Sequence, residues 1–163
     1  MKPYAPIKTN TAITQEIKNL INLAPDTAWV PYYNFSALSI PNSVLYQDPL
    51  FQKLAEKYDF QAGVLRLPPS TCYNWHVDTD RGVSINMLLE DDGQSRCLFL
   101  DGKAGVSFKF IELKYQPDTY YAFNTKIPHT VLNFSTTRYL FSVEFLGQSR
   151  GLSFLELLID IEG

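Results

Sequence analysis

The sequence predicts a mainly β domain with flanking helices, built as a double-sheet jelly roll or small barrel. From residue 62 onward, short apolar and aromatic runs recur at regular spacing between turn-forming segments such as Pro68-Pro69-Ser70 and Gln116-Pro117-Asp118. The chain has 163 residues, of which 45% are hydrophobic and 14% aromatic, enough for one domain with a buried core. We therefore expect a single domain over 1–163, with a mixed helical and extended cover (1–61), a jelly-roll core (62–146) and a C-terminal helix or tail (147–163).

The core is expected to contain eight short strands, bounded by Gly, Pro, Asp and Ser. Turns are expected at Asp91-Asp92-Gly93 and at Asp101-Gly102 with Gly105, among other positions. The predicted strands are 62–67, 71–77, 83–89, 96–100, 107–114, 119–123, 128–134 and 138–146.

Three helices are expected outside this core, over 11–23, 49–58 and 153–161. Pro25 ends the first, Pro49 suits the first turn of the second, and Ser153 with Glu156 resembles a capping box for the third. An extended segment over 29–35 is predicted to lie at a sheet edge, because Pro31 cannot donate a ladder hydrogen bond.

The last predicted strand has two unlike faces. Its odd-numbered positions from Tyr139 to Phe145 are all apolar, so the helices are expected to cover that face. The opposite face carries Arg138, Leu140, Ser142 and Glu144.

Charge and composition exclude several classes of function. The net charge is −3 without a basic block, which argues against nucleic-acid and anionic-membrane partners. The longest apolar runs are too short to span a bilayer, and the N-terminus lacks the apolar segment of a signal peptide. With only Cys72 and Cys97, we expect two reduced thiols and a cytoplasmic location.

The two histidines of the chain point to a metal site. His76 and Asp78 are two positions apart, so on a strand they would share a face, and His129 opens a later strand 53 residues on. Two histidines and one carboxylate on one side of an octahedral ion leave three positions open, as in non-haem Fe(II) oxygenases. A structural His76 with an unrelated surface His129 is the alternative.

Arg138 follows His129 by nine residues and is expected to face the interior. A buried guanidinium needs an anion, and it can hold a carboxylate through two parallel hydrogen bonds. Two anions are alternative partners for Arg138: a carboxylate of a metal-chelating keto acid, or Glu144 on the same face of the strand.

Residues 62–146 resemble the double-stranded β-helix core of Fe(II)/2-oxoglutarate-dependent oxygenases. The resemblance rests on His76-Val77-Asp78, His129 and Arg138, and on the segment from Pro117 to Phe123 that leads to Pro128-His129. Phe123 and Asn133, at their spacings from His129, look like the aspartyl/asparaginyl β-hydroxylase branch of that family.

The resemblance implies Fe(II) held by His76, Asp78 and His129, and 2-oxoglutarate as cosubstrate on Arg138, with Ser142 or a tyrosine hydroxyl contributing. Asn86 is a further candidate for the keto-acid end; an outward-facing Asn86 is the alternative. It also implies O₂-dependent hydroxylation of an amino-acid or peptide side chain. Two alternative functions stay open: a cupin-like metal enzyme that does not use 2-oxoglutarate, and a non-catalytic jelly-roll binding module.

Two segments are candidates for contact with a small-molecule or peptide substrate. Residues 32–35, with Tyr73 and Trp75, would line a cleft or else pack in the core. The loop from Asp78 to Arg81 would gate the metal or form an ordinary turn.

Overall fold

The computed structural model describes residues 2–90, 94–103 and 107–163, within which there are eleven strands and four α-helices. The helices are α1 (Thr14–Leu23), α2 (Asn42–Leu45), α3 (Pro49–Ala55) and α4 (Phe154–Glu162). The strands are β1 (Tyr4–Pro6), β2 (Val30–Tyr32), β3 (Phe35–Ile40), β4 (Phe60–Leu67), β5 (Thr71–His76), β6 (Val83–Glu90), β7 (Ser95–Lys103), β8 (Ser107–Leu113), β9 (Tyr121–Asn124), β10 (His129–Asn133) and β11 (Arg138–Phe145).

The strands form two antiparallel sheets. The large sheet has the order β1-β9-β6-β11-β4-β3-β2, and the small sheet has the order β5-β10-β7-β8. Side chains from both sheets meet in one apolar cluster, which includes Leu67 and Phe123 from the large sheet and Phe99 and Val131 from the small one. Two facing antiparallel sheets confirm the predicted jelly roll.

The helices cover the outer face of the large sheet. Phe141, Val143 and Phe145 of β11 belong to a core cluster that also contains Ile17 of α1 and residues of α3 and α4. The predicted cover is therefore confirmed. The capping box of α4 is present as well, with Ser153 and Glu156 each accepting from the other's backbone N–H.

Two segments differ from the sequence-based expectation. Residues 29–35 do not form one strand: the chain turns at Tyr33-Asn34, and β2 and β3 pair as a hairpin on the large sheet. The turn expected at Asp101-Gly102 with Gly105 is wrong in its first part, because β7 continues to residue 103; Gly105 lies outside the described residues. Gly102 pairs with Phe108, and its φ of 136° together with a close backbone approach leaves no room for a Cβ atom. The expected turn at 91–93 lies outside the described residues.

Candidate metal centre

The metal-binding candidates meet where β5 ends and β10 begins. His76 and His129 are direct cross-strand partners, and their ring centroids lie 4.2 Å apart. Asp78 follows β5, and its Oδ1 lies 3.6 Å from Nε2 of His76. One ligand atom from each of the three residues lies within 4.8 Å of the other two. This arrangement can hold one metal ion.

Hydrogen bonds orient both imidazole rings toward that point. Nδ1 of His76 lies 2.6 Å from the Asn74 carbonyl, and Nδ1 of His129 lies 2.8 Å from the Ile127 carbonyl. Because a carbonyl only accepts, each Nδ1 carries the proton and each Nε2 keeps its lone pair for a metal. Burial lowers the pKa of His129 to about 4, so its ring is neutral at pH 7, as metal ligation requires.

The Asp78 carboxylate is held by the loop that follows β5. Its Oδ2 accepts from Nε of Arg81 at 2.5 Å, which leaves Oδ1 turned toward His76. Nζ of Lys126 donates to the backbone carbonyls of Asp78 and Thr79 at 2.9 and 3.0 Å. These bonds hold the loop as an ordered turn. None of them gives evidence that the loop gates the metal site.

Aromatic rings shield the metal centre on its inner side. The Phe123 ring stands edge-on to His129 at 4.9 Å, and the Phe99 ring lies 5.9 Å from it. His129 is 6% exposed, whereas the His76 side chain is 22% exposed. Solvent therefore reaches the three ligands from the His76 side, whereas the aromatic rings exclude it from the His129 side.

Arg138 lies on the inner face of β11 and is 5% exposed. Its Nε donates to Ser95 Oγ at 3.2 Å, and its guanidinium lies 5.9 Å from the centre of the Tyr115 ring. Glu144 instead accepts from the Gln61 amide at 3.0 Å. Within the described ranges, no carboxylate forms an ion pair with Arg138, so the internal pair with Glu144 is absent.

The surroundings of Arg138 are buried and polar. The Tyr115 hydroxyl has no hydrogen-bond partner in the described part of the chain, and burial raises the pKa of that group. Burial also raises the pKa of the Cys97 thiol to about 11. Ser95, Cys97 and Tyr115 also line a surface cleft of about 320 Å³, together with residues that include the exposed Arg96 and Lys114.

Asn86 and Ser142 are cross-strand partners on the inner face of the large sheet. Asn86 is 5% exposed and alternates with Ile85 and Met87, which face the helices, so it faces the interior between the sheets, contrary to the outward alternative. Its Nδ2 donates to Ser84 Oγ at 3.2 Å, whereas its Oδ1 is buried and has no partner in the described chain. If the amide turned over, Oδ1 would accept from the Ser84 hydroxyl and the NH₂ group would face the interior.

Sequence reasoning does not assign the roles of three polar residues at these sites: it includes Arg81 only as part of the loop after Asp78, leaves the tyrosine near Arg138 unidentified and does not include Ser95. Arg81 holds the metal-facing carboxylate, and Ser95 and Tyr115 surround the Arg138 guanidinium. Arg81 lies three residues after Asp78, a spacing at which a loop can return a cation to a carboxylate. Ser95 and Tyr115 reach Arg138 only through sheet pairing, and no local pattern indicates them.

No family model and no curated protein sequence matches this chain. Solved structures do match, and the matching structures described below have the fold of 2-oxoglutarate–Fe(II) oxygenases.

Three of these structures indicate the range of the likeness. A Trichoplax adhaerens prolyl hydroxylase, in complex with a hypoxia inducible factor oxygen degradation domain peptide fragment, is 14% identical, with a TM-score of 0.67 over 96% of this chain and 86% of that one. A 2OG-Fe(II) oxygenase family oxidoreductase from Burkholderia pseudomallei is 11% identical, with a TM-score of 0.64 over 91% and 86%. A Pseudomonas putida prolyl-4-hydroxylase is 17% identical, with a TM-score of 0.61 over 88% and 91%.

The TM-scores, each above 0.6, establish a shared fold. They do not single out the aspartyl/asparaginyl β-hydroxylase branch, which stays a prediction. In the described part of the chain, no helix is long and apolar enough to cross a bilayer.

Proposed function

We propose that this protein is an Fe(II)- and 2-oxoglutarate-dependent oxygenase that hydroxylates an amino-acid or peptide side chain. The observation that carries the proposal is the convergence of His76, Asp78 and His129, with both Nε2 atoms free, in a fold shared with 2-oxoglutarate–Fe(II) oxygenases. Two histidines and one carboxylate are the donor set that suits Fe(II) with positions left open.

The cosubstrate end of the proposal rests on Arg138. Its buried guanidinium has no described carboxylate partner, and the unpartnered Tyr115 hydroxyl lies beside it. A buried cation without a counter-ion is costly, so a bound carboxylate would offset this cost. Arg138 and Tyr115 would hold the distal carboxylate of 2-oxoglutarate, and Asn86 and Ser142 would line its path toward the metal.

The spacing along the small sheet is compatible with this assignment. Ser95, which bonds Arg138, pairs with Asn133 at the far end of β10 from His129. Four residues of strand correspond to about 13 Å, a separation that a five-carbon diacid and an arginine side chain can bridge together.

If bound, Fe(II) and 2-oxoglutarate would activate O₂: one oxygen atom would convert a substrate C–H bond to C–OH, and the other would enter succinate as the cosubstrate loses CO₂. The chain's own residues position the ligands and exclude water. Arg81 keeps Asp78 oriented, the carbonyls of Asn74 and Ile127 keep the imidazole tautomers, and Phe99 and Phe123 close the site behind His129.

The proposal is tested by adding Fe(II) and 2-oxoglutarate to the protein under anaerobic conditions. We expect the weak visible charge-transfer band of the Fe(II)–2-oxoglutarate chelate, and succinate release when O₂ is admitted. Arg138→Ala should weaken 2-oxoglutarate binding while metal content stays unchanged, and the exposed Arg150→Ala serves as the matched control. Metal binding without the band would favour a cupin-like enzyme that does not use 2-oxoglutarate. Folded protein that binds no metal would favour a non-catalytic module.

A further inference from the structure

Four aromatic side chains form a continuous row that starts at the metal centre. We call Tyr32, Tyr33, Phe35 and Tyr73 the aromatic rim. The Tyr73 ring lies 4.2 Å from the His76 ring, the Tyr33 ring lies 6.3 Å from Tyr73, and the Tyr32 ring lies 4.7 Å from Tyr33. Tyr32 is 56% exposed and Tyr33 is 80% exposed. The rim therefore extends from the open side of the metal centre into solvent.

The tip of the β2–β3 hairpin is held in place although its conformation is unfavourable. Tyr33 has a φ of 53°, in the left-handed region that favours glycine. The neighbouring Asn34 donates from Nδ2 to the Cys72 carbonyl of β5 at 2.7 Å, which fastens the tip to the small sheet. A glycine would relieve this strain but would also remove the Tyr33 ring and its contacts with Tyr32 and Tyr73, so the exposed ring is present at a conformational cost.

Glu144 carries a negative charge close to this rim. It lies on the inner face of β11, six residues beyond Arg138, and its described polar partner is the Gln61 amide. Glu144 pairs across the large sheet with Ser84, and Ser84 pairs with Phe123, whose ring stands against His129. Glu144 therefore lies at the metal end of the inner face, where the rim begins. Burial and the neighbouring Tyr33 raise the pKa of the Tyr32 hydroxyl; the Glu144 carboxylate raises it further, whereas the Arg81 guanidinium lowers it. Arg81 is paired with Asp78 at 2.5 Å, whereas no cation pairs with Glu144 in the described ranges.

We propose that the aromatic rim and Glu144 bind the cationic side chain, ammonium or guanidinium, of a lysine- or arginine-type amino acid or peptide substrate. Aromatic faces attract cations through the ring quadrupole, and a carboxylate supplies the opposite charge. The inference rests on the proposed function, because it names the substrate class of the same site. Glu144 and the exposed tyrosines determine specificity in this assignment and take no part in metal binding.

The first test measures binding to the metal-free protein by NMR chemical-shift titration. The probes are Nα-acetyl-arginine amide and Nα-acetyl-lysine amide, each compared with a neutral analogue of similar shape, the citrulline and norleucine amides. A cation–π contact and a partly exposed ion pair each contribute a factor of a few, so we expect the cationic probes to bind about tenfold more tightly. Shifts should concentrate on the β2–β3 hairpin and on β11.

Two variants separate recognition from folding. Glu144→Gln keeps the side-chain shape and should abolish the preference for the cationic probes. Tyr33→Gly should weaken the cationic probes by a factor of a few while the melting temperature stays level or rises, which a structural role for Tyr33 would not produce. Phe110→Leu, an exposed aromatic on the outer face of the small sheet, is the matched control and should change neither result.

Equal binding of charged and neutral probes, or an unchanged preference in Glu144→Gln, would overturn the inference. Because these titrations need neither iron nor 2-oxoglutarate, they are independent of the test of the proposed function. If the chelate band forms but cationic and neutral probes bind alike, only the substrate class is wrong. If the band is absent and the preference holds, the oxygenase proposal fails and the cation site stands.

Discussion

The two sheets of this protein differ in what covers them. The outer face of the large sheet packs against α1, α3 and α4, and Phe141 of β11 is fully buried there. The outer face of the small sheet carries Trp75, Phe108 and Phe110, which are 45%, 59% and 60% exposed. The Trp75 and Phe110 rings stack at 5.7 Å across that face.

The large sheet contributes most of the folding stability, whereas the small sheet contributes the histidine ligands of the candidate metal site. The large sheet is buried on both faces, so most of the apolar area that stabilises the fold lies around it. The small sheet contributes His76 and His129, and it is held mainly by the inner core and by strand pairing. The metal ligands therefore lie on the less covered sheet, where they can be changed with little loss of folding stability.

The largest effect should come from the covered face of the large sheet. Phe141→Ala removes a ring that packs against Phe51 at 5.7 Å and Tyr120 at 6.0 Å. We expect a loss of about 3–5 kcal/mol in the free energy of unfolding, the usual cost of a buried Phe-to-Ala change. Urea denaturation with an unchanged m-value would measure it. A loss below about 1 kcal/mol would contradict the division between the sheets.

Metal binding should stabilise the native state, and the gain should depend on His76 of the small sheet. At a free metal concentration 100-fold above Kd, the native state gains about 2.7 kcal/mol, and His76→Ala should lose that gain completely. The metal-free variant should unfold within about 0.5 kcal/mol of the metal-free parent, as is usual for a change away from the core. Thermal melts with and without Co(II) as a redox-stable probe would show whether the metal effect disappears.

A buried carboxylate supports the helical cover and gives an intermediate effect. Asp48 is fully buried: Oδ1 accepts from Leu50 N at 3.0 Å, and Oδ2 accepts from Ala12 N at 3.1 Å and from Tyr120 Oη at 2.7 Å. Asp48→Ala leaves these donors unpaired and should cost about 2 kcal/mol. The exposed Asp59→Ala is the control. Metal affinity, measured by titration, should stay the same in both variants.

The smallest effect is expected on the bare face of the small sheet. Phe110→Ser replaces a ring that is 60% exposed and should change the free energy of unfolding by no more than about 0.5 kcal/mol. Denaturation in urea would measure it. A loss comparable to that of Phe141→Ala would show that this face is buried in solution, and the comparison between the sheets would need revision.

Local sequence patterns were sufficient for the elements of the core. Alternation and turn chemistry predicted eight strands from 62 to 146, each within a few residues of a strand in the structure, because strand periodicity and turn residues act over short distances. The apolar face of β11 predicted its helical cover for the same reason, since a fully apolar sheet face must be buried. The inward direction of Arg138 followed from its position on the opposite face of that strand.

Only the tertiary structure decided which residues meet. The direct pairing of His76 with His129 depends on strand register between distant segments, and so do the contacts of Arg138 with Ser95 and Tyr115. The left-handed Tyr33 and the strand glycine Gly102 also follow from pairing rather than from local preference. Residue spacing limits what a strand can present, but the register of non-local hydrogen bonds determines what it faces.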